Sequence, residues 1–532
     1  MRDDGTRGSG FGIRDSGVSN GDVSSATPES RIPNPDPRET DLHGRRVLLM
    51  GLGNRQGGLG VARYLVESGA DVRVTDLRDE TALATTLADL SGLPIAFTLG
   101  CHDEDDVRWC EIVVRNPAVP RESPWLALAR DLGKRIEMEM TLFFRACPAP
   151  ILGVTGTKGK TTTTTLLGQM LRERWPDAIL AGNMAVSALG QLASMRPDTP
   201  VALELSSFQL EALDEQHLSP HIAVITNISP DHLDRYPSFD DYAWVKGAVA
   251  RHQTNDDWLV VPDGDASVDR VADGVQSQQV TFAASPVILS RSEGSLRLDD
   301  TRGEHRGDPS LRLRMTGDAH SLRITDGRFS GIWNGQPIDL GPVEALRLPG
   351  EHSRLNVLAA AGAALAIGVT PSEIARAIAA FRGVPHRMEH VATIGGVEYI
   401  NDTAATAPAA AVAALRAFEG REIVAIAGGF DKKLPIEPLA DELVRVAMRV
   451  VLLDGTLTAH LHDLLTARGY DAIDGPFGSM EEAVRVAAAV ASPGAVVLLS
   501  PGTASFGMFR DEFHRGEAFR AAVASLDREV TA

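Results

Sequence analysis

The stretch ILGVTGTKGKT, Ile151–Thr161, constrains this chain more than any other part of it. Ile151–Val154 reads as a buried strand. A Gly-rich turn, Gly156–Thr161, follows at once, and apolar Leu166, Leu167 and Met170 then recur at helical spacing. Strand, Gly-rich turn and helix in that order are the setting a phosphate-binding loop needs. Glycines let backbone N–H groups close on phosphate oxygens, and the helix N-terminus adds its positive end. Gly156, Thr157, Lys158, Gly159 and Thr162 would form the cradle, Lys160 would reach the outer phosphates, and the Thr161 hydroxyl would ligate Mg2+. Val154 stands where the longer Walker pattern has glycine, so the match is to the shorter GTxGKT form. The alternative, a flexible Gly/Thr turn, leaves the strand before it and the helix after it unexplained.

The same alternation runs along the rest of the chain. Short apolar runs at Val47–Met50, Val72–Thr75 and Ile112–Val114 are separated by helix-length segments such as Gly60–Ser68. The pattern restarts at Ile151 with Val201–Leu205, Ile222–Thr226 and a helical stretch at Tyr242–Arg251, and again with Ile423–Ala427, Val450–Leu453 and Val496–Leu499. Such alternation predicts βαβ units and parallel sheets. The 532 residues suggest about three domains. Residues 1–42, rich in Gly, Ser, Asp, Arg and Pro, are expected to be a disordered tail. Between about 287 and 340 the texture changes to short alternating runs (Leu296–Leu298, Leu311–Leu313, Ile332–Trp333), which predicts a β-rich insertion that extends a sheet.

Composition removes several function classes. The formal charge of −19 argues against a general nucleic-acid binder, which needs clustered cations. Any anionic substrate must be held by local cations, helix N-termini or metal ions, against the overall field. No apolar run is long enough for a membrane span, and the first 20 residues lack a secretory signal, so a cytoplasmic protein without a membrane partner is expected. Cys101, Cys110 and Cys147 show neither disulfide-framework nor metal spacing and read as reduced thiols.

A phosphate loop alone leaves kinase, motor, GTPase and ligase open. Glu204, ending the strand in ALELSSFQ, could be an acidic partner for Mg2+. His232, in a loop at the end of another strand and near Asp231 and Asp234, could be a metal ligand, although most loop histidines are simply solvated. The GLGNRQGGLG run at 51–60 resembles a dinucleotide fingerprint. A dehydrogenase reading would make Asp76 its ribose anchor, but nothing downstream supports hydride transfer.

GVTGTKGKTT, LELSSFQLE, TNISPDHLDRY, PGEHSRLNVLAA, GVPHRMEHV, YINDTAATAP and LLSPGTASFGMF, in this order and spacing, closely resemble the Mur ligases. LELSSFQLE and ISPDHLDRY look most like the glutamate-adding branch of that family. The resemblance runs from about Arg46 to the C-terminus, apart from part of 287–340. It implies Rossmann-like N-terminal and C-terminal domains around a P-loop ATPase-like central domain, each on a mainly parallel sheet. Domain limits are then 43–147 for the UDP-substrate domain, 148–384 for the ATP domain and 385–532 for the glutamate domain. It also implies an ATP-dependent ligase of cytoplasmic peptidoglycan precursor synthesis, adding D-glutamate to UDP-N-acetylmuramoyl-L-alanine through an acyl phosphate. A monomer is expected.

Carried over by motif, Lys160 and Thr161 would hold the phosphates and a first Mg2+, with Glu204 as its acidic ligand, and His232 would serve a second. Lys246 in YAWVKGAV matches the family lysine that is carbamylated to become an anionic metal ligand. Gly51, Gly53, Asp76 and Arg78 would bind the uridine diphosphate part, and Asn183, Ser206 and Gln209 the muramoyl-alanine part. Asn356 matches an adenine-side residue, Arg387 would reach the ATP phosphates, and Asp402 matches the ribose-side aspartate. Thr406, Lys432 and Ser505 match positions that hold the incoming glutamate, where Lys432 could pair with a carboxylate.

Three departures stand out. Ser353 replaces the family's usual Asn, Ala404 replaces a usual Lys, and the expected C-terminal Phe is displaced by one position, to Phe513 after Glu512. The last two bear on the choice between D- and L-glutamate, which the sequence leaves open. An L-glutamate-adding counterpart and a folylpolyglutamate-type ligase are the alternatives. The second has no need for a UDP-binding first domain, so the 46–147 block argues against it. A non-catalytic protein on the same fold is disfavoured by the joint presence of Lys160, Thr161, Glu204, His232 and Lys246.

Overall fold

The computed structural model of the chain describes residues 41–53, 56–182, 187–231, 235–284, 319–348, 350–431 and 434–531. The runs Leu296–Leu298 and Leu311–Leu313 and nearly all of the 1–42 stretch lie outside them, as do Asn183, His232, Asp234 and Lys432. The described residues form three sheets.

The first sheet holds β1 (Arg46–Met50), β2 (Asp71–Asp76), β3 (Ile95–Leu99), β4 (Ile112–Arg115) and β5 (Arg135–Glu137). They run in the order β3-β2-β1-β4-β5, all parallel. Val47–Met50 and Ile112–Arg115 are buried throughout, as strands covered by helices on both faces must be. The order reverses between β1 and β4, which opens a crevice at their carboxyl ends. The Gly-rich turn after β1 lies there and leads into the helix Gln56–Glu67.

The second sheet holds β6 (Ile151–Thr155), β7 (Ile179–Gly182), β8 (Val201–Glu204), β9 (Ile222–Ile225), β10 (Trp258–Pro262), β11 (Gln278–Ala283), β12 (Ser321–Thr325), β13 (Arg328–Trp333) and β14 (Gln336–Pro342), in the order β14-β13-β12-β11-β10-β9-β6-β8-β7. From β7 to β12 the pairing is parallel, and β12–β14 add an antiparallel edge. Two-residue turns make that edge. Asp326-Gly327 and Asn334-Gly335 both have positive φ at each position, the geometry a tight hairpin demands. These edge strands span 321–342, whereas residues 285–318 of the stretch read as an insertion lie outside the described residues. β6 lies between β8 and β9, so its end is this sheet's switch point. The helices Lys160–Arg172 and Glu351–Ala366 pack together over this sheet. The second carries six alanines and a glycine between Ala359 and Ala366, and a Cβ on Gly362 would lie 2.9 Å from Val260 Cγ1, so small residues permit the close approach.

The third sheet holds β15 (Glu389–Ile394), β16 (Val397–Asn401), β17 (Ile423–Ala427), β18 (Ala447–Leu453), β19 (Ile473–Phe477) and β20 (Val496–Leu499), in the order β15-β16-β20-β17-β18-β19, parallel except for the β15–β16 hairpin. The ends of β16, β20 and β17 are thus neighbours. No helix among the described residues is long and apolar enough to cross a membrane.

Close packing in the first sheet depends on Gly58. A Cβ there would fall 1.6 Å from the Leu52 carbonyl oxygen. Gly58→Ala is expected to destabilise the fold by about 1–3 kcal/mol through overpacking. Denaturant unfolding checks this against Gly478→Ala, where a Cβ meets nothing within 4 Å.

Candidate active site

The phosphate loop is held in shape by the segment after β9. Thr157 N–H donates to the Asn227 carbonyl at 2.9 Å. The Asn227 side chain accepts from Lys158 N–H at 3.0 Å and donates back to the Lys158 carbonyl at 2.9 Å. Thr226 Oγ1 donates to the same carbonyl at 2.6 Å. Thr157 Oγ1 donates to the Ser229 carbonyl at 3.0 Å and lies 3.3 Å from the Tyr242 hydroxyl. Motif reading noticed this segment for His232 and missed the clamp. The signal was present as Thr226-Asn227 directly after a strand, since short polar side chains there bond to nearby backbone.

Two glycines make the loop possible. Gly156 has φ +146° and Gly159 has φ +84°. A Cβ on Gly156 would lie 2.0 Å from Thr226 Oγ1, and one on Gly159 would lie 2.4 Å from Asn356 Oδ1. The second contact places Asn356 against the loop, where Thr163 Oγ1 also approaches its Oδ1 at 3.3 Å. Ser353 is buried one turn earlier on the same helix. Lys158 is exposed, with its ammonium 3.6 Å from Asp231, and Thr161 and Thr162 occupy the first turn of the helix that Gly159 caps.

Lys160 donates to the Gly156 carbonyl at 2.9 Å and the Thr157 carbonyl at 3.1 Å. Burial lowers its pKa, Glu204 and Asp231 oppose that, and Lys158 and Arg387 add to it. Glu204, 3% exposed, ends β8 in register with Val154 of β6. Lys246, on the helix Phe239–Arg251, is 2% exposed, with its amine 4.8 Å from the Tyr242 ring centre. Burial, with the charge of Lys160 added, pushes its pKa down to about 7, although Asp231 and Glu204 pull the other way. Lys160, Glu204, Asp231 and Lys246 therefore share one electrostatic neighbourhood, and Arg387 reaches Lys160 from the start of the third sheet.

Among the described residues, no three His, Cys, Asp or Glu side chains converge as a metal site. Mg2+ keeps several waters and takes one or two carboxylates together with substrate phosphates. Glu204 and Thr161 could supply the protein oxygens.

The other predicted positions fall into separate groups. At the first sheet, Gly51 and Gly53 have φ +86° and +72°. Asp76 accepts from the N–H groups of Leu52 at 2.9 Å and Gly53 at 3.1 Å, and from the Arg78 guanidinium at 2.8 Å. Burial opposes its ionisation, yet Arg78 and the backbone donors hold its carboxyl below the usual range. Asp76 thus braces the Gly-rich turn and aligns Arg78. Ser206 and Gln209 form a reciprocal cap on the helix Ser207–Glu215. Their polar groups already serve the backbone, a role the motif did not disclose.

At the third sheet, Asp402 accepts from Met388 N–H at 3.1 Å and Ser500 Oγ at 2.9 Å, and burial raises its pKa to about 6. His386, buried with φ +66°, approaches Asn401 Nδ2 at 3.1 Å and leaves the adjacent Arg387 exposed. Thr406 and Ser505 lie on the loops after β16 and β20. Ser505 Oγ is buried and makes no hydrogen bond among the described residues.

Three sheets with Gly-rich turns at their switch points, and a phosphate loop facing an acidic strand end and a buried lysine, define a nucleotide-dependent α/β enzyme. Family comparisons agree domain by domain. Residues 45–137 match the Mur ligase MurD-like N-terminal domain, 154–364 the Mur ligase middle domain, and 386–502 the Mur ligase glutamate ligase domain. The UDP-N-acetylmuramoylalanine–D-glutamate ligase of Roseiflexus sp. (strain RS-1) is 49% identical over 91% of this chain and 99% of its own length. The enzyme of the same name from Trichlorobacter lovleyi is 35% identical over 91% of this chain and 100% of its own. The crystal structure of UDP-N-acetylmuramate-alanine ligase MurC from Thermotoga maritima matches with a TM-score of 0.50 at 22% identity, over 91% of this chain and 100% of that one, a likeness of fold. The chain belongs to the Mur ligase family.

Lys246 carries a stability prediction. Its folded pKa of about 7 lies below the ordinary lysine value of 10.5, so below pH 7 the fold must bury a charge. That cost is fully present below the folded pKa and is relieved as pH rises from about 7 toward 10.5. Lys246→Met is expected to raise the unfolding temperature of the nucleotide-free protein most below pH 7, with the difference shrinking above it. Thermal unfolding across pH, in bicarbonate-free buffer, measures this.

Proposed function

We propose that this chain is the ATP-dependent ligase that joins the carboxyl group of UDP-N-acetylmuramoyl-L-alanine to the amino group of D-glutamate, releasing ADP and phosphate. The observation that carries this reading is the convergence of Lys160, Glu204, Asp231 and the buried Lys246 around the phosphate loop. The D isomer is favoured because the 49% and 35% identical relatives both bear the D-glutamate name over nearly their whole lengths. The MurD-like first domain disfavours a folylpolyglutamate-type ligase.

A carboxylate is a poor electrophile, so it must be activated. A substrate carboxylate oxygen attacks the γ-phosphorus of ATP, the bond to the β-bridging oxygen breaks, and ADP leaves. The glutamate amine then attacks the acyl carbon, a proton is lost, and phosphate departs as the amide forms. Three anionic groups crowd together in the first step, so positioning and charge neutralisation carry most of the catalysis.

Gly156–Thr162 cradle the phosphates in this reading, and Lys160 exchanges its loop carbonyls for the outer phosphate. Arg387 approaches the same charge, Asn356 faces adenine, and Asp402 faces the ribose. Thr161 and Glu204 would hold Mg2+, which would supply further neutralisation, and His232 is assigned to a second ion. Lys246 has the environment that carbamylation needs. Burial leaves part of its amine neutral near pH 7, and the neutral amine adds to carbon dioxide with loss of a proton. The product is an anionic oxygen group beside Lys160. Gly51, Gly53, Asp76 and Arg78 are assigned to the uridine diphosphate part. Asn183, Ser206 and Gln209 are assigned to the muramoyl-alanine part, and Thr406, Lys432 and Ser505 to glutamate. Domain limits at 43–147, 148–384 and 385–532, a monomeric state and a cytoplasmic location in cell-wall precursor synthesis, which supports cell shape and division, belong to the same reading.

Phosphate release with ATP, Mg2+, UDP-N-acetylmuramoyl-L-alanine and either D- or L-glutamate tests it. Release is expected with the D isomer, and none with either isomer would refute the assignment. Lys160→Ala should lower kcat by about 10²–10³-fold, as loss of a transition-state cation does. Lys246→Ala should be inactive and partly restored by short carboxylates such as acetate. Full activity without them would show that Lys246 needs no carbamate.

A further inference from the structure

Three loops carry the positions assigned to glutamate, and one buried side chain ties two of them together. Arg515, at the start of the C-terminal helix Glu512–Thr531, is 1% exposed. Its Nε donates to Thr403 Oγ1 at 2.9 Å and its Nη2 to the Thr403 carbonyl at 3.0 Å. Nη1 and Nη2 donate to the Thr503 carbonyl at 3.2 and 3.3 Å. Thr403 lies three residues before Thr406, and Thr503 two before Ser505. Thr503 Oγ1 in turn donates to the Gly428 carbonyl at 2.8 Å, on the loop that leads to Lys432. The next residue on the helix ties the same unit to His386, ahead of β15, and to the end of β16. A Cβ on Gly516 would lie 2.2 Å from His386 Nδ1, and Asn401 Nδ2 donates to the Gly516 carbonyl at 3.3 Å.

We propose that Arg515 is a positioning residue for the incoming amino acid, setting the spacing of the loops that bear Thr406 and Ser505. This rests on the reading of the third sheet as the glutamate site. Two observations separate it from an ordinary core brace. Its hydrogen bonds among the described residues go to neutral carbonyl and hydroxyl oxygens, and the Glu512 carboxylate acts on its charge through space. Ser505 Oγ, on one of the loops it holds, is buried with no hydrogen bond among the described residues, which leaves a donor for an arriving carboxylate. Burial lowers the pKa of Arg515 to about 10, so it stays protonated at neutral pH.

The test uses the full-length protein and two half-reactions. Hydroxylamine traps the acyl phosphate without using the glutamate pocket, whereas amide formation requires it. Arg515→Met is expected to raise KM for D-glutamate by about tenfold or more, with KM for ATP and for the UDP substrate within about twofold and hydroxylamine trapping near wild type. Arg515→Lys, which can reach only one carbonyl at a time, should fall between the two. A proportional fall in both half-reactions, or an unchanged glutamate KM, would overturn the role. Should the Met variant fail to fold, as thermal unfolding would reveal, the Lys variant decides by the same criterion. A wild-type protein that uses neither glutamate isomer overturns the assigned reaction and this role with it. Wild-type turnover with an unaltered glutamate KM in the variants overturns this role alone.

Discussion

Asn227 holds the Lys158 backbone from both sides, accepting from its N–H and donating to its carbonyl. This exchange fixes the phosphate loop as a rigid object. A Gly-rich loop left to itself has many accessible conformations, and ordering it would cost conformational entropy each time a nucleotide bound. Clamped by Thr226, Asn227 and Ser229, the loop is set before any ligand arrives. Lys160 follows at the head of the helix, and Gly159 gives Asn356 room against the loop. The parallel register does the rest, because it carries Glu204 and the clamp segment to the same edge of the sheet as the loop.

Charge follows the same local logic. The chain carries a formal −19, yet its phosphate site gathers Lys158, Lys160, Lys246 and Arg387, with Glu204 and Asp231 among them. Crowding cations out of water makes one of them give way, and Lys246 does so because it is both buried and next to Lys160. The third sheet buries its cation differently. Arg515 keeps its charge and spends its donors on loop carbonyls, so shape and potential come from one residue.

How much of this was legible from the residues differs from part to part. The strand–turn–helix at Ile151–Arg172 was, because apolar period and glycine placement are local properties. So were the separate α/β blocks, whose alternation of apolar runs and helical stretches is also local. The clamp at Asn227 was not, since the hydrogen bonds join residues about seventy positions apart. Ser206 and Gln209 were read for a ligand, whereas they first cap their own helix. Asp76 was read for uridine, whereas it first braces Leu52, Gly53 and Arg78. Arg515 drew no notice, because a single arginine in a polar helix has no pattern.

The sequence by itself determined the fold class, the family and the identity of the chemical groups, since these depend on spacing along the chain and on residue type. Only the tertiary structure decided which of those groups share a field. The depressed basicity of Lys246 needs its burial beside Lys160, and the hydrogen bonds of Arg515 need the meeting of two loops a hundred residues apart. Electrostatic energy depends on distance and on exclusion of water, and neither is a property of any segment taken alone.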